Sequence, residues 1–244
     1  MNITIKDTRV NYIRYGNIKK ETIIFLHGWG QNIAMMKPLA DSRIDNSDVI
    51  IIDLPGHGES EEPKYAWTVD DYVEFLKDFC DKLKIKNPIL VGHSFGGKIS
   101  LLYASKYSVK KLILFGSPFR KEIKKLSLKT KILKVAKKVP GLNKLEGFAK
   151  RHIGSTDYKN ASPLMREILV NTVNYDITEE VKKIKAPTLI VWGDMDEAVS
   201  IDDAYILESL IEDSGVVVYP GCTHYAYLER LGQTINVLNS FLGK

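Results

Sequence analysis

The chain has little cysteine. Of its 244 residues two are Cys, Cys80 and Cys222, far apart and in no metal-ligand pattern. That excludes a disulfide framework and fits a reducing, cytoplasmic setting. Cys80 lies in a helical stretch and reads as a small buried apolar residue. Long apolar runs are also lacking. No stretch approaches the roughly 20 residues of a membrane-spanning helix, and Met1–Lys6 has none of the apolar length of a signal peptide. There is no internal repeat and no low-complexity linker. Apolar and charged residues make up 44% and 27% of the chain, ordinary for one sizeable globular core. Nothing in the spacing of His, Cys, Asp and Glu calls for a metal, and no cofactor motif is present.

What is there is a rhythm of short apolar runs. Residues 2–5 and 9–15 alternate apolar and polar around Lys6-Asp7-Thr8, which predicts an antiparallel hairpin at a sheet edge. Continuous runs at 22–26, 48–52, 88–91, 111–115, 187–193 and 215–219 predict buried strands. Between them, Thr68 is placed to cap a helix over 69–83, whose apolar positions recur at three- and four-residue steps. Further helices are expected over 97–107, 202–211 and 227–242. From about Phe119 to Ile184 the patterns are helical with no strand. Alternating strands and helices imply a mostly parallel sheet covered on both faces. The expected organisation is a core of residues 1–118 and 185–244 carrying a helical cap insertion over 119–184.

One stretch carries the chemistry. The run from Pro88 to Val91 ends in Gly92-His93-Ser94-Phe95-Gly96, and a helix follows. A serine between two glycines at a strand-to-helix switch sits on a turn too tight for flanking side chains. Its hydroxyl is exposed above the sheet, beside backbone N–H groups at a helix N-terminus. A serine hydroxyl needs a base, and the base an orienting acid. Five histidines are available. His93 points away from Ser94, His27 and His57 sit in Gly-rich turns, and His152 lies in the inserted block. His224 lies in Pro220-Gly221-Cys222-Thr223-His224, a loop directly after a predicted strand. Loops at strand carboxyl ends surround the ligand crevice of such sheets, so His224 is the base candidate. The loop after Trp192 offers three carboxylates, Asp194, Asp196 and Glu197, among which the residues alone do not choose. Oxyanion donors are expected from the N–H groups of Phe95, directly after the serine, and of Trp29 in His27-Gly28-Trp29-Gly30. His27, Gly28, Trp29 and Tyr225 are candidates to line the substrate pocket.

These motifs resemble the α/β-hydrolase superfamily, specifically its small capped serine esterases, including the carboxylesterase and carrier-protein methyl ester esterase group. The resemblance covers nearly the whole chain and also rests on Asp53-Leu54-Pro55-Gly56-His57-Gly58-Glu59-Ser60, a structural turn in that family. Its G-x-x-D pattern selects Asp196 over Asp194. The implied activity is cleavage of a small-molecule carboxylic ester or thioester through an acyl-enzyme, without metal or cofactor. Perhydrolase, haloperoxidase or acyltransferase chemistry on the same triad, or a non-catalytic binding protein on the same fold, remain alternatives. Thr223 before His224, where the family commonly has Gly, and Lys98 after the paired glycines depart from the family pattern.

The charge is segregated. Between Phe119 and Arg151 there are twelve Lys or Arg and two acidic residues, a local balance of +10 in a chain of +5, so the remainder carries −5. Ile132, Leu133, Ala136 and Val139 fall on one helical face, surrounded by Lys131, Lys134, Lys137 and Lys138. Such a block suits a hydrated cap helix, or docking of an acidic carrier protein or an anionic membrane surface. The absence of aromatic interleaving argues against nucleic acid. Oligomeric state is not indicated.

Overall fold

The apolar runs form one sheet. In the computed structural model, which describes residues 1–43, 47–121 and 161–243, the strands are β1 (Asn2–Ile5), β2 (Thr8–Gly16), β3 (Thr22–Leu26), β4 (Asp48–Ile52), β5 (Ile89–His93), β6 (Lys111–Phe115), β7 (Thr188–Gly193) and β8 (Ser214–Tyr219). They lie in the order β1-β2-β4-β3-β5-β6-β7-β8. β1 and β2 form the edge hairpin, turned by Lys6 and Asp7 at φ 47° and 56°. β2 is antiparallel to β4, and every pairing from β4 to β8 is parallel. Parallel neighbours require crossovers, and helices supply them: α1 (Ile33–Ala40), α2 (Val69–Lys82), α3 (Phe95–Lys106), α4 (Pro163–Asn174), α5 (Thr178–Val181) and α6 (Asp202–Leu210); α7 (Ala226–Glu229) and α8 (Leu231–Leu242) follow the last strand.

Both sheet faces are covered, which explains why the central strands are apolar along most of their length. Ile24 and Leu26 of β3 join a core with Tyr72 and Phe79 of α2 and Ile99 of α3. Ile23 and Phe25, pointing the other way, join a second core with Met36 and Leu39 of α1 and Leu238 of α8. Thr68 caps α2 in a reciprocal box with Asp71, and Ser162 caps α4, with Pro163 at its first position.

Three elements differ from the sequence reading. The α1 helix was not foreseen: Pro38 lies inside it, yet Asn32 caps it and Met36, Leu39 and Ala40 bury its inner face. The α3 helix starts at Phe95, not Gly97, because the turn holding Ser94 is a single residue. The final helix is two pieces, α7 and α8, meeting at Arg230. The described part of the expected insertion is helical, as α4 and α5. Residues 122–160, with the expected lysine-rich helix and His152, lie outside the described residues.

Candidate active site

Ser94 is the single residue between β5 and α3, at φ 50° and ψ −111°. This left-handed conformation costs a non-glycine residue about 1–3 kcal/mol and persists because the surroundings impose it. Two glycines make that enclosure possible. A Cβ on Gly96 would stand 2.3 Å from the Leu26 carbonyl oxygen, and one on Gly92 2.6 Å from that of Gly96. The Ser94 N–H donates to Phe115 O at 2.9 Å and the Gly96 N–H to His27 O at 3.1 Å, pinning the turn to the ends of β6 and β3. Ser94 is half-buried. Phe95, first residue of α3, has no intrahelical acceptor for its N–H.

His224 and Asp196 meet across the ends of β7 and β8. His224 Nδ1 is 2.7 Å from Asp196 Oδ2. Asp196 Oδ1 accepts from the N–H groups of Ala198 and Val199 at 2.8 and 2.9 Å, so the whole carboxylate is oriented. Its side chain is 1% exposed, against 15% for His224. Since the carboxylate accepts a hydrogen bond from Nδ1–H, Nε2 is left as the basic nitrogen. Asp194 is employed elsewhere: its Oδ1 accepts from the Gly221 N–H at 2.7 Å, bracing the base loop. Glu197 is exposed. The pair abuts the end of β6, where a Cβ on Gly116 would come within 2.9 Å of His224 Nδ1 and 3.2 Å of Asp196 Oδ2. Phe115, the residue before, holds the Ser94 N–H, so Ser94, His224 and Asp196 converge on one strand end.

The His27–Gly30 loop lies on the other side of the serine turn. His27 is fully enclosed. Its Nδ1–H donates to Gly28 O at 2.7 Å, and its Nε2 accepts from the Leu54 N–H at 3.0 Å. Burial lowers its pKa to about 3. Both ring nitrogens of His27, a candidate to line the substrate pocket, are committed to backbone, and the ring holds two loops together. Gly28 is also buried, its N–H donating to Gln31 Oε1 at 3.0 Å. The Trp29 ring is partly exposed and packs edge-on against His57 and Phe95, at 4.8 and 5.3 Å between centroids. Among the described residues the Trp29 N–H has no acceptor. Tyr225 is 41% exposed, its ring 5.7 Å from that of His224. The turn after β4 is structural: Asp53 accepts from Ile33 and Glu59 N–H groups and from Asn11. A Cβ on Gly58 would collide with that carboxylate. Among the described residues no group of three His, Cys, Asp or Glu is placed to hold a metal.

A family model described as the alpha/beta hydrolase fold matches residues 21–126 and 124–231. The chain belongs to that family. Among curated relatives, the monoacylglycerol lipase ABHD6 of Mus musculus is 27% identical over 257 aligned residues, covering 91% of this chain and 76% of that protein. Lipase 1 of Psychrobacter immobilis is 27% identical over 94% of this chain and 79% of its own length. Solved structures share the fold at lower identity. A bacterial membrane phospholipase A superposes with a TM-score of 0.80 at 23% identity, covering 99% of this chain and 84% of that one. The enol-lactonase of Burkholderia xenovorans LB400 does so with a TM-score of 0.80 at 19% identity, over the whole of both chains. Among the described residues no helix of this hydrolase-family protein is long and apolar enough to cross a membrane.

Two groups near the site escaped the sequence reading. His93, expected only to face away from Ser94, reaches the His224 loop, with Nε2 3.0 Å from His224 O. Lys98, noted only as a departure from the family pattern, is 1% exposed, and its Nζ donates to Thr172 O and Tyr175 O at 3.0 and 2.5 Å. It ties the helix that follows Ser94 to the C-terminal end of α4. A one-residue departure at a buried helix position was the available signal.

Proposed function

We propose that this protein is a serine hydrolase that cleaves a carboxylic ester or thioester through an acyl-enzyme. The carrying observation is the oriented Asp196–His224 hydrogen bond of 2.7 Å at the same strand end that holds the left-handed Ser94. Ser94 Oγ attacks the carbonyl carbon while His224 Nε2 takes its proton. The tetrahedral oxyanion is met by the N–H groups of Trp29 and Phe95. Collapse expels the alcohol or thiol, which receives the proton from His224. Water then attacks the acyl-enzyme by the same route in reverse, with His224 again as base. Asp196 holds the Nδ1–H tautomer and stabilises the imidazolium, remaining ionised throughout. The names of the curated relatives, lipases and a monoacylglycerol lipase, favour an oxygen ester with an apolar acyl chain. The +10 balance over 119–151 favours an anionic partner, an acidic carrier protein or an anionic membrane surface, near a cap inserted over 119–184.

The test is Ser94→Ala. The purified variant should melt as the parent does, lose hydrolysis of p-nitrophenyl butyrate by several orders of magnitude, and no longer be labelled by a fluorophosphonate probe. Near-normal turnover by the folded variant would reject the mechanism. Absence of labelling of the parent chain would favour a non-catalytic member of the family.

A further inference from the structure

His93 connects the three loops that make up the site. It is the last residue of β5, directly before Ser94, and is fully buried. Its Nε2 is 3.0 Å from the backbone oxygen of His224. Its Nδ1 is 3.2 Å from Gln31 Oε1, the same oxygen that accepts from the Gly28 N–H. The ring also packs on those of His224 and Tyr227, at 4.8 and 4.9 Å between centroids. A Cβ on Gly28 would come within 2.9 Å of Nδ1, so the oxyanion-side loop lies directly against the imidazole.

We propose that His93 is a positioning residue: its imidazole spans from the Gln31 amide to the His224 carbonyl and sets the distance of the base loop from the serine turn. The chemistry of the contacts fixes the proton. A carbonyl oxygen only accepts, so Nε2 carries the hydrogen and donates to His224 O. Burial lowers the pKa of this ring to about 3. The group is therefore neutral beside His224 and does not oppose the imidazolium that forms there during catalysis. The Gln31 amide faces two claimants: its oxygen serves the Gly28 N–H, whereas the bare Nδ1 of His93 would take an N–H. A neutral ring carries one N–H for two acceptor oxygens, Gln31 Oε1 and His224 O. The bond to His224 O is thus the anchor that both the tautomer and the burial support. The inference rests on the reading of His224 as the base.

The test uses two amides of similar size. In His93→Gln the side-chain N–H reaches the place of Nε2 and can still donate to His224 O. In His93→Asn it reaches only the place of Nδ1. A base loop displaced by about 1 Å lowers turnover by about 100-fold. The Asn variant should therefore lose about that factor in kcat on p-nitrophenyl butyrate, with KM within about 3-fold and fluorophosphonate labelling slowed in parallel. The Gln variant should recover most of both. A second readout does not depend on activity: the proton shared by His224 Nδ1 and Asp196 gives a far-downfield proton NMR signal. That signal should broaden or vanish in the Asn variant and return in the Gln variant, at closely similar melting temperatures. Equal kcat and an unchanged downfield signal in the folded Asn variant would overturn the proposal, as would a folded Gln variant no better than Asn. If the parent neither hydrolyses esters nor reacts with the probe, the hydrolase reading falls. The NMR comparison then still decides whether His93 positions His224.

Discussion

Replacing Lys98 by Met should remove a rise in stability that the parent shows in mild alkali. Lys98 Nζ is sealed between α3 and the end of α4 and donates to two backbone carbonyls. Burial lowers its pKa from 10.5 to about 8, partly opposed by the charges of Asp176 and Asp203. The sign follows from linkage. Between about pH 8 and 10.5 the unfolded chain holds the proton and the folded chain does not, so stability rises with pH across that window. Below pH 8 both states are protonated, and the buried charge weighs fully against folding. The whole span of roughly 2.5 pKa units corresponds to about 3 kcal/mol, of which about 2 kcal/mol should develop by about pH 9.5. Met fills a similar volume without an ionisable group. Its loss of the two hydrogen bonds adds an offset independent of pH. Urea unfolding followed by tryptophan fluorescence suits the measurement, since Trp67 and Trp192 are buried. The quantity to read is the parent-minus-variant stability between about pH 7 and 9.5, where other titrations cancel. It should climb by about 2 kcal/mol. A flat difference would mean that the amine is not a desolvated charge. A falling difference would mean that the carbonyls and the nearby aspartates stabilise the ammonium more than burial destabilises it.

Asp196→Asn should lower kcat by on the order of 10⁴, because the amide cannot hold the Nδ1–H tautomer. Asp194→Asn should lose only a few-fold, since the lost Gly221 contact braces a loop; steady-state assays in which Asp194→Asn is the worse variant would transfer the acid role to Asp194. Reversal of Lys134, Lys137 and Lys138 to Glu should leave turnover of a short neutral ester nearly unchanged and weaken binding to anionic vesicles or an acidic carrier protein. Binding of the parent to neither at low salt would mark the charge as merely hydrated.

The amino-acid sequence by itself determined the strands and the serine turn. Runs such as 23–26 and 49–52 are apolar at every position because both faces of a parallel strand are buried. Gly92 and Gly96 flank Ser94 because any Cβ there meets backbone. These are local constraints, and local pattern reports them. The sequence also narrowed the base candidate to His224 and offered three carboxylates within four residues, among which only the family resemblance favoured Asp196. The tertiary structure decided which of those carboxylates faces the imidazole, because that depends on how two loops 28 residues apart are laced together. It also decided that Pro38 sits within a helix, held by an inner face that packs on the sheet. His93 and Lys98 became legible only there, since their partners lie 131 and 77 residues away. A buried polar group is defined by what surrounds it, and those surroundings are assembled by the fold from segments that say nothing of one another in the chain.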